Sequence, residues 1–490
     1  MECARLAEEA EEALQDGHPL SEEAAQLNNR LAQEFGYEIN LLGGGRNFAA
    51  NLESVYARTV SISGPSLTDS YHFGQTISYD FGRPFERGTN GQAGGSFSAV
   101  AGPLAVYVRA EYQHAPSAPA PSDAVRNVIA TGDGVDLSLV RSGPIAAINR
   151  AQLLDVYVAV NLNNWQLSLG RQSLSWAPSG DSMEWSDNIE PVNMVRLVNP
   201  EPISLPGFLQ HLGPVRIDQF FGRLEGHPYV PRPFIYGQKV SVKPFSFLEL
   251  GFGRTVTIGG EGGDPLTGGN LLRSFFGRVD TRIGSVPGHN QTSMDWTFYV
   301  PKVRNYIVLY GDSTAADDIL PVENPARNPW HPGIYITRIP GIPKLDFHIE
   351  GVSTEQPGRI AAVGGGNFGQ FNYWNESYRD GYTNGGNLIG NTVGRDGRTI
   401  QGWLTYWFSP VNTLQLVYKH NSVAEDFIKG GGAWQDYALR NEVHLRTGFY
   451  IKSEVQYERI SHYPILFDGP RNNLTAILEI GFSPSHAEKK

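Results

Sequence analysis

From Phe449 to Glu458 the chain alternates: Phe449, Ile451, Val455 and Tyr457 share one parity, and Lys452, Glu454, Gln456 and Glu458 the other. Successive side chains of a strand point to opposite faces, so this segment predicts a strand with an apolar medium on one side and water on the other. The pattern recurs. Leu104, Val106, Val108, Ala110 and Tyr112 alternate with Tyr107, Arg109 and Glu111, and Leu345, Phe347 and Ile349 with Asp346, His348 and Glu350. Leu474, Ala476, Leu478, Ile480 and Phe482 form the outward set of the last strand. A strand of a soluble core has the same period. Repetition over about 400 residues, with no helix-period segment between, predicts instead an all-β transmembrane antiparallel barrel over residues 72–482, of about 18 strands.

Tight turns at Asn161-Leu162-Asn163, Lys243-Pro244-Phe245, Ser409-Pro410-Val411 and Thr447-Gly448 would face the periplasm, and the long loops the exterior. The turns lose a common parity between Gln172 and Val240, so one strand there is missing or spurious. The strand number expected is therefore roughly sixteen to eighteen, and even.

Residues 1–36 read differently. Ala4–Leu14 is rich in Ala and Glu, and Asp16-Gly17-His18-Pro19 breaks it. Ser21 is a good N-cap for a second helix, in which Ala24, Leu27, Leu31 and Phe35 share one face and Gly36 is expected as a left-handed cap. A helical hairpin with one apolar stripe needs a surface to cover. The periplasmic mouth of the barrel is the obvious one, as a plug; the plainer reading is a partly helical tail. Residues 37–71 are read as a connecting segment and 483–490 as a C-terminal tail.

Composition narrows the classes. With 56 Gly, 4 Met, 11% aromatics and a mean hydropathy of −0.30, the chain is too polar for a helical membrane protein. A net charge of −11 argues against nucleic acid as a partner. Cys3 is the single cysteine, so internal disulfides and cysteine metal sites are excluded. The first twenty residues are acidic and lack the apolar core of a secretory signal, so the signal of an exported barrel is expected upstream or already removed.

Two long connections carry candidate chemistry. Arg171–Gly213 holds Trp176, Trp185, Asp187, Asn188 and Arg196 among five prolines, expected to prevent regular pairing. Thr354–Arg398 holds Tyr373, Trp374, Asn375, Tyr378, Arg379, Asp380, Tyr382 and Asn384. Rings would pack on the apolar face of a pyranose while amides and carboxylates bind its hydroxyls. The same composition fits an interfacial aromatic girdle and self-packed loops, and it does not choose between them. G-x-S-x-G, H-E-x-x-H and P-loop motifs are absent, and the run Gly364-Gly365-Gly366 reads as loop punctuation. The chain therefore reads as a non-enzyme without a cofactor.

Gly170-Arg171-Gln172-Ser173-Leu174-Ser175-Trp176-Ala177-Pro178, then Ser186-Asp187-Asn188 and Met194-Val195-Arg196-Leu197, resembles the signature of the capsule assembly protein (Wzi) family. Gly222-Arg223-Leu224-Glu225-Gly226-His227-Pro228 and Tyr373-Trp374-Asn375 through Gly394-Arg395 extend the resemblance over residues 40 to 482. Ala177 departs from it, standing where Gly is expected. The resemblance implies an outer-membrane barrel of eighteen strands with a periplasmic helical bundle, and a lectin-like role in holding capsular or extracellular polysaccharide at the bacterial surface. Outer-membrane lipid and polysaccharide export machinery are the further partners expected. The alternative is a porin or uptake channel for saccharides or other small solutes.

Overall fold

The computed structural model describes residues 7, 9–11, 22–45, 47–176, 178–179, 181–276, 287–316, 318–356, 368–462 and 471–487. Its centre is one closed antiparallel sheet of eighteen barrel strands, with the two-residue strand Ile203–Ser204 joined to it. The first six are β1 (Phe48–Ile62), β2 (Gly88–Ala101), β3 (Leu104–Ala115), β4 (Ile148–Leu162), β5 (Trp165–Gln172) and β6 (Val192–Val198). Next come β7 (Pro214–Arg223), β8 (Phe234–Phe245), β9 (Leu248–Ile258), β10 (His289–Tyr299), β11 (Ile307–Ala315) and β12 (Trp330–Ile336). The last are β13 (Leu345–Ser353), β14 (Gly397–Ser409), β15 (Asn412–Val423), β16 (Gly432–His444), β17 (Thr447–His462) and β18 (Arg471–Ala487). Each pairs with its neighbours in sequence, and β1 closes the ring on β18, with Thr59 opposite Leu478.

The two faces are inverted relative to a soluble protein. On β18, Leu474, Leu478 and Ile480 are about half exposed, whereas Asn473 and Thr475 are 1% exposed. Apolar side chains thus point outward and polar ones inward, which is stable only in a bilayer. Aromatic rows mark its limits. Phe245 stacks on Phe247 at 5.2 Å and Phe449 meets Phe482 at 5.0 Å near the short-turn end. Tyr418, Tyr437 and Tyr457 lie opposite one another on β15, β16 and β17 nearer the other end. From Phe449 to Tyr457 the apolar band is about 20 Å high at a strand tilt of roughly 40°.

Every two-residue turn lies at one end, after β2, β4, β8, β14 and β16. Asn163 and Asn164 join β4 to β5 with φ of 48° and 64°, the paired left-handed residues of a type I′ hairpin. The parity break is explained by β6. Val192–Val198 was expected to lie inside an unpaired proline-rich connection, but it pairs with β5 (Leu197 opposite Leu167) and β7 (Val195 opposite Phe221). Pro191 and Pro200 flank the strand, so their missing N–H groups cost no ladder bond.

The barrel also begins earlier than expected. β1 lies wholly within the supposed connecting segment, and β18 runs to Ala487, past the supposed tail boundary at 483. Helices, not expected between strands, occur in two loops: α3 (Asp123–Asp133) and α4 (Gly268–Phe276). At the N-terminus α1 (Glu22–Glu34) is followed at once by α2 (Gly36–Leu42). Gly36 therefore starts a helix instead of capping one. α1 lies against β18, and Leu27 and Leu31 of its stripe stay substantially exposed. Most of the expected first helix, Ala177 and the Gly364-Gly365-Gly366 run fall outside the described residues.

The loops of the long-loop end fold inward and fill the lumen. Trp176, Met183, Trp185 and Ile189 from the β5–β6 loop meet Tyr373, Tyr382, Leu388 and Ile389 from the β13–β14 loop and Phe220 of β7 in one buried apolar cluster. Inside a barrel with polar walls this cluster is a core of its own, separate from the lipid-facing apolar surface.

Candidate functional site

The expected sugar-stacking rings are mostly in that inner core. Trp176 packs on Phe220 at 5.4 Å and its Nε1 donates to Asp218 (3.1 Å). Trp185 is 1% exposed and meets Phe220 edge-on at 4.7 Å. Tyr373 stacks on Tyr382 at 6.1 Å and donates to Met183 O (2.6 Å), while Tyr382 bonds Thr255 (2.8 Å) and Tyr378 donates to Gly259 O (3.1 Å). None of these five has a free ring face for a pyranose. The structure places them as buried side chains of the plug, since loops threaded through a lumen need their own apolar core.

The polar members divide likewise. Asn188 donates to Ser70 and Leu388 O, and Asn384 donates to Glu190 O while accepting from Glu225 N, so both are tied up in buried loop contacts. Arg196 grips Asp218 at 2.8 and 2.6 Å beside a cavity on the short-turn side of the core. Asp187 is half-buried, and burial raises its carboxyl pKa. Asn375 closes a local turn by accepting from Ser377 N and Tyr378 N. Trp374 and Arg379 do something unexpected. Trp374 Nε1 donates to Asp133 O (3.2 Å), Arg379 Nη1 to Gly134 O, Gln370 Nε2 to Gly132 O (3.1 Å) and Arg395 Nη2 to Gly132 O (3.0 Å). Together they satisfy the carbonyls at the C-terminus of α3, where positive charge is also favoured.

Above the plug the loops leave a cavity of about 730 Å³. It is bounded by the β1–β2, β3–β4, β5–β6, β7–β8 and β13–β14 loops, and of the expected residues only Asp380 lines it. Its lining combines apolar Leu67, Phe85, Ile129, Val140, Ile145 and Ile148 with polar Asp69, His72, Gln75, Arg150, Glu190 and Asn387. Tyr229 and Arg141 also line it, Arg141 from an exposed position, while Tyr71 is buried in its floor beneath Arg395. Tyr229 is held under the Arg379 guanidinium, 5.1 Å from its ring centre. Asp380 accepts from Tyr229 N at 2.8 Å; burial raises its carboxyl pKa, against the pull of His227 at 3.8 Å.

The cavity is held by a charge cluster that motif reading missed. His72 bridges two carboxylates, Nδ1 to Asp69 at 2.8 Å and Nε2 to Asp133 at 2.9 Å. Asp133 also accepts from Arg395 Nη1 at 2.6 Å. The Arg395 side chain is fully buried, its guanidinium 4.3 Å from the Tyr71 ring and 4.7 Å from the Phe427 ring. Burial alone would lower the His72 pKa, but Asp133 and Asp69 outweigh it and raise it to about 9, so the ring is charged at neutral pH. Burial likewise works against ionised Asp133, and His72 and Arg395 outweigh it, holding its pKa below the ordinary value.

The family model for the capsule assembly protein Wzi matches residues 57–476. An uncharacterized 55.8 kDa protein in the cps region of Klebsiella pneumoniae is 26% identical over 165 residues, 33% of this chain and 32% of that protein, so the chain matches about a third of that relative's length. The fold is similar to that of Wzi from Escherichia coli, an outer membrane protein involved in group 1 capsule assembly and described as a carbohydrate-binding β-barrel. That likeness has a TM-score of 0.64 at 17% identity and covers 96% of this chain and 91% of the other. With the family match running from β1 into β18 across barrel and plug alike, this chain belongs to the capsule assembly protein Wzi family.

Proposed function

We propose that the barrel binds polysaccharide at the cell surface in the cavity above its plug, anchoring a capsular or extracellular polymer without cleaving it. The observation that carries this reading is the amphipathic lining of the 730 Å³ cavity at the long-loop end. A pyranose presents C–H faces and hydroxyl edges, and a site lined by apolar side chains, the Tyr229 ring and amide, carboxylate and guanidinium groups matches both. Asp380, Gln75 and Asn387 would bind hydroxyls, Tyr229 would contact a ring face, and Arg141 would meet the charge of an acidic polymer. Family membership and the carbohydrate-binding E. coli barrel support the reading. Export machinery as a further partner is part of the same proposal.

The deciding experiment compares cell-bound with released polysaccharide in the native bacterium with and without the gene. Normal synthesis with polymer shed into the medium is the expected result, and an unchanged split overturns the reading. The channel alternative is favoured by the cavities of about 570 and 580 Å³ on the short-turn side of the plug. Against it stand the buried apolar cluster of the plug and Arg83, which lines both the 570 Å³ cavity and the outer one and is fixed by Asp80 and Glu111. Steady large conductance in planar bilayers would move it to first place.

A further inference from the structure

Three outward-facing rows cross β13 to β17. The lowest runs Phe347, Leu404, Leu416, Leu439 and Val455; the middle, Ile349, Gly402, Tyr418, Tyr437 and Tyr457. The highest, nearest the long-loop end, runs Gly351, Ile400, His420, Gln435 and Arg459. The lower two rows are apolar or aromatic. In the upper one the character changes within one outward position, two residues, along each of β15, β16 and β17.

The middle row is interrupted at Gly402. With no side chain between Ile349 and Tyr418, the outer wall is recessed, and a groove of about 880 Å³ runs across Phe347, Ile400, Gly402, Leu416, Tyr437 and Val455. A Cβ at Gly402 would stand 3.2 Å from His348 O and 3.8 Å from the nearest ring carbon of Phe347, and the backbone φ is not positive. Larger residues therefore need only a small adjustment there, and the recess is a property of this one position. Above it Arg459 is exposed and has no ion-pair partner among the described residues. Gln435 is tied to the tyrosine row by accepting from Tyr437 Oη (3.4 Å).

We propose that this face is a binding site for a phosphorylated, acylated glycolipid of the outer leaflet, with an acyl chain in the Gly402 groove and a phosphate at Arg459, beside His420 and Gln435. The order of the rows supplies the argument. Tyrosines sit at the boundary between hydrocarbon and headgroup. A guanidinium one row above that boundary lies at the depth of lipid phosphates, and it faces the lipid, where no anion among the described residues pairs with it. Arg binds phosphate through paired N–H donors, which favours an anionic headgroup over a zwitterionic one. The long-loop end faces the exterior, so the leaflet concerned is the outer one. The site is on the opposite side of the wall from the polysaccharide cavity, and its failure would leave that reading untouched.

The test is lipid retention by the full chain, extracted from native outer membranes in mild detergent and weighed by native mass spectrometry. The wild-type barrel is expected to carry phosphoglycolipid. Arg459→Ala with His420→Ala should lower retention by about tenfold and abolish its dependence on salt. Gly402→Leu, which fills the groove, should lower retention at every salt concentration. Both variants alter outward positions, and heat-modifiable gel mobility checks that the barrel remains folded. Equal retention by all three proteins overturns the proposal. So does preferential retention of a phospholipid, or cross-linking of two barrels through this face.

Discussion

His72 and Asp133 are 61 residues apart in sequence, and Nε2 of the first lies 2.9 Å from Oδ1 of the second. The contact joins the β1–β2 loop to the end of α3, and Arg395 adds the β13–β14 loop to the same carboxylate. Three loops are thus pinned at one buried point on the cavity wall.

The latch should respond to pH in a defined window. The pKa of His72 is raised from 6.5 to about 9, so its contribution is complete below about 6.5 and is lost as pH rises through about 9. A shift of this size corresponds to at most about 3 kcal/mol. Asp133 has a lowered pKa, so its contribution is complete above the ordinary carboxylate range and is lost as pH falls through the lowered value. Limited proteolysis of the loops should therefore be slowest near neutrality, and faster above pH 9 or in strong acid. His72→Gln should remove the alkaline limb alone. A protease profile flat from pH 6 to 10 in the wild type would refute the latch.

Arg395→Lys should not rescue Arg395→Ala. The guanidinium donates to Asp133 and to Gly132 O while lying near the Tyr71 and Phe427 rings, and a point charge cannot meet all four demands. Removing it leaves Asp133 buried with one cation fewer, a change expected to cost about 3 kcal/mol. Hydrogen exchange at Val128–Gly134 should rise by a similar factor in both variants. Full protection in the lysine variant would contradict this account.

The barrel was legible in sequence because a membrane sheet repeats one rule at every strand. β13 shows it plainly, with Leu345, Phe347 and Ile349 outward and Asp346, His348 and Glu350 inward. β1 was missed where that rule slips: a bulge between Leu52 and Ser54 places outward Leu52 and Val55 three residues apart, and the alternation breaks. The plug was illegible for a different reason. An aromatic residue in a long loop has the same sequence signature whether it stacks on a sugar or on Phe220, and only the chain's path decides which. The His72 cluster gave no local signal, since its members come from positions 69, 72, 133 and 395.

Trp185 separates the two readings of the loop aromatics. As a core residue, Trp185→Ala leaves a void against Phe220 and Trp176 and should destabilise the plug by about 3–5 kcal/mol. The hydrogen-bonded wall does not pass through Trp185, so the heat-modifiable folded band should persist while loop proteolysis and ion conductance increase. Trp185→Phe should restore most of the loop order. Loss of polysaccharide retention with fully ordered loops would instead return Trp185 to a sugar-binding role.

The cavity itself is tested by Tyr229 and Arg141, neither of which belongs to the inner core. Tyr229→Ala removes a ring whose loss is expected to cost about 1–2 kcal/mol of binding, or roughly tenfold in affinity for a glycan fragment. Arg141 is exposed and has no ion-pair partner among the described residues, so Arg141→Ala should leave loop order unchanged. If the polymer is acidic, the arginine variant should bind it more weakly at low salt and nearly as well as wild type at high salt, because an exposed charge is screened over about 8 Å at physiological ionic strength. If the polymer is neutral, Arg141→Ala should be silent at all salt concentrations while Tyr229→Ala remains defective. Equilibrium binding of the native polysaccharide to barrel in detergent, measured across a salt series, distinguishes these cases. Wild-type affinity in both variants would remove the cavity as the glycan site.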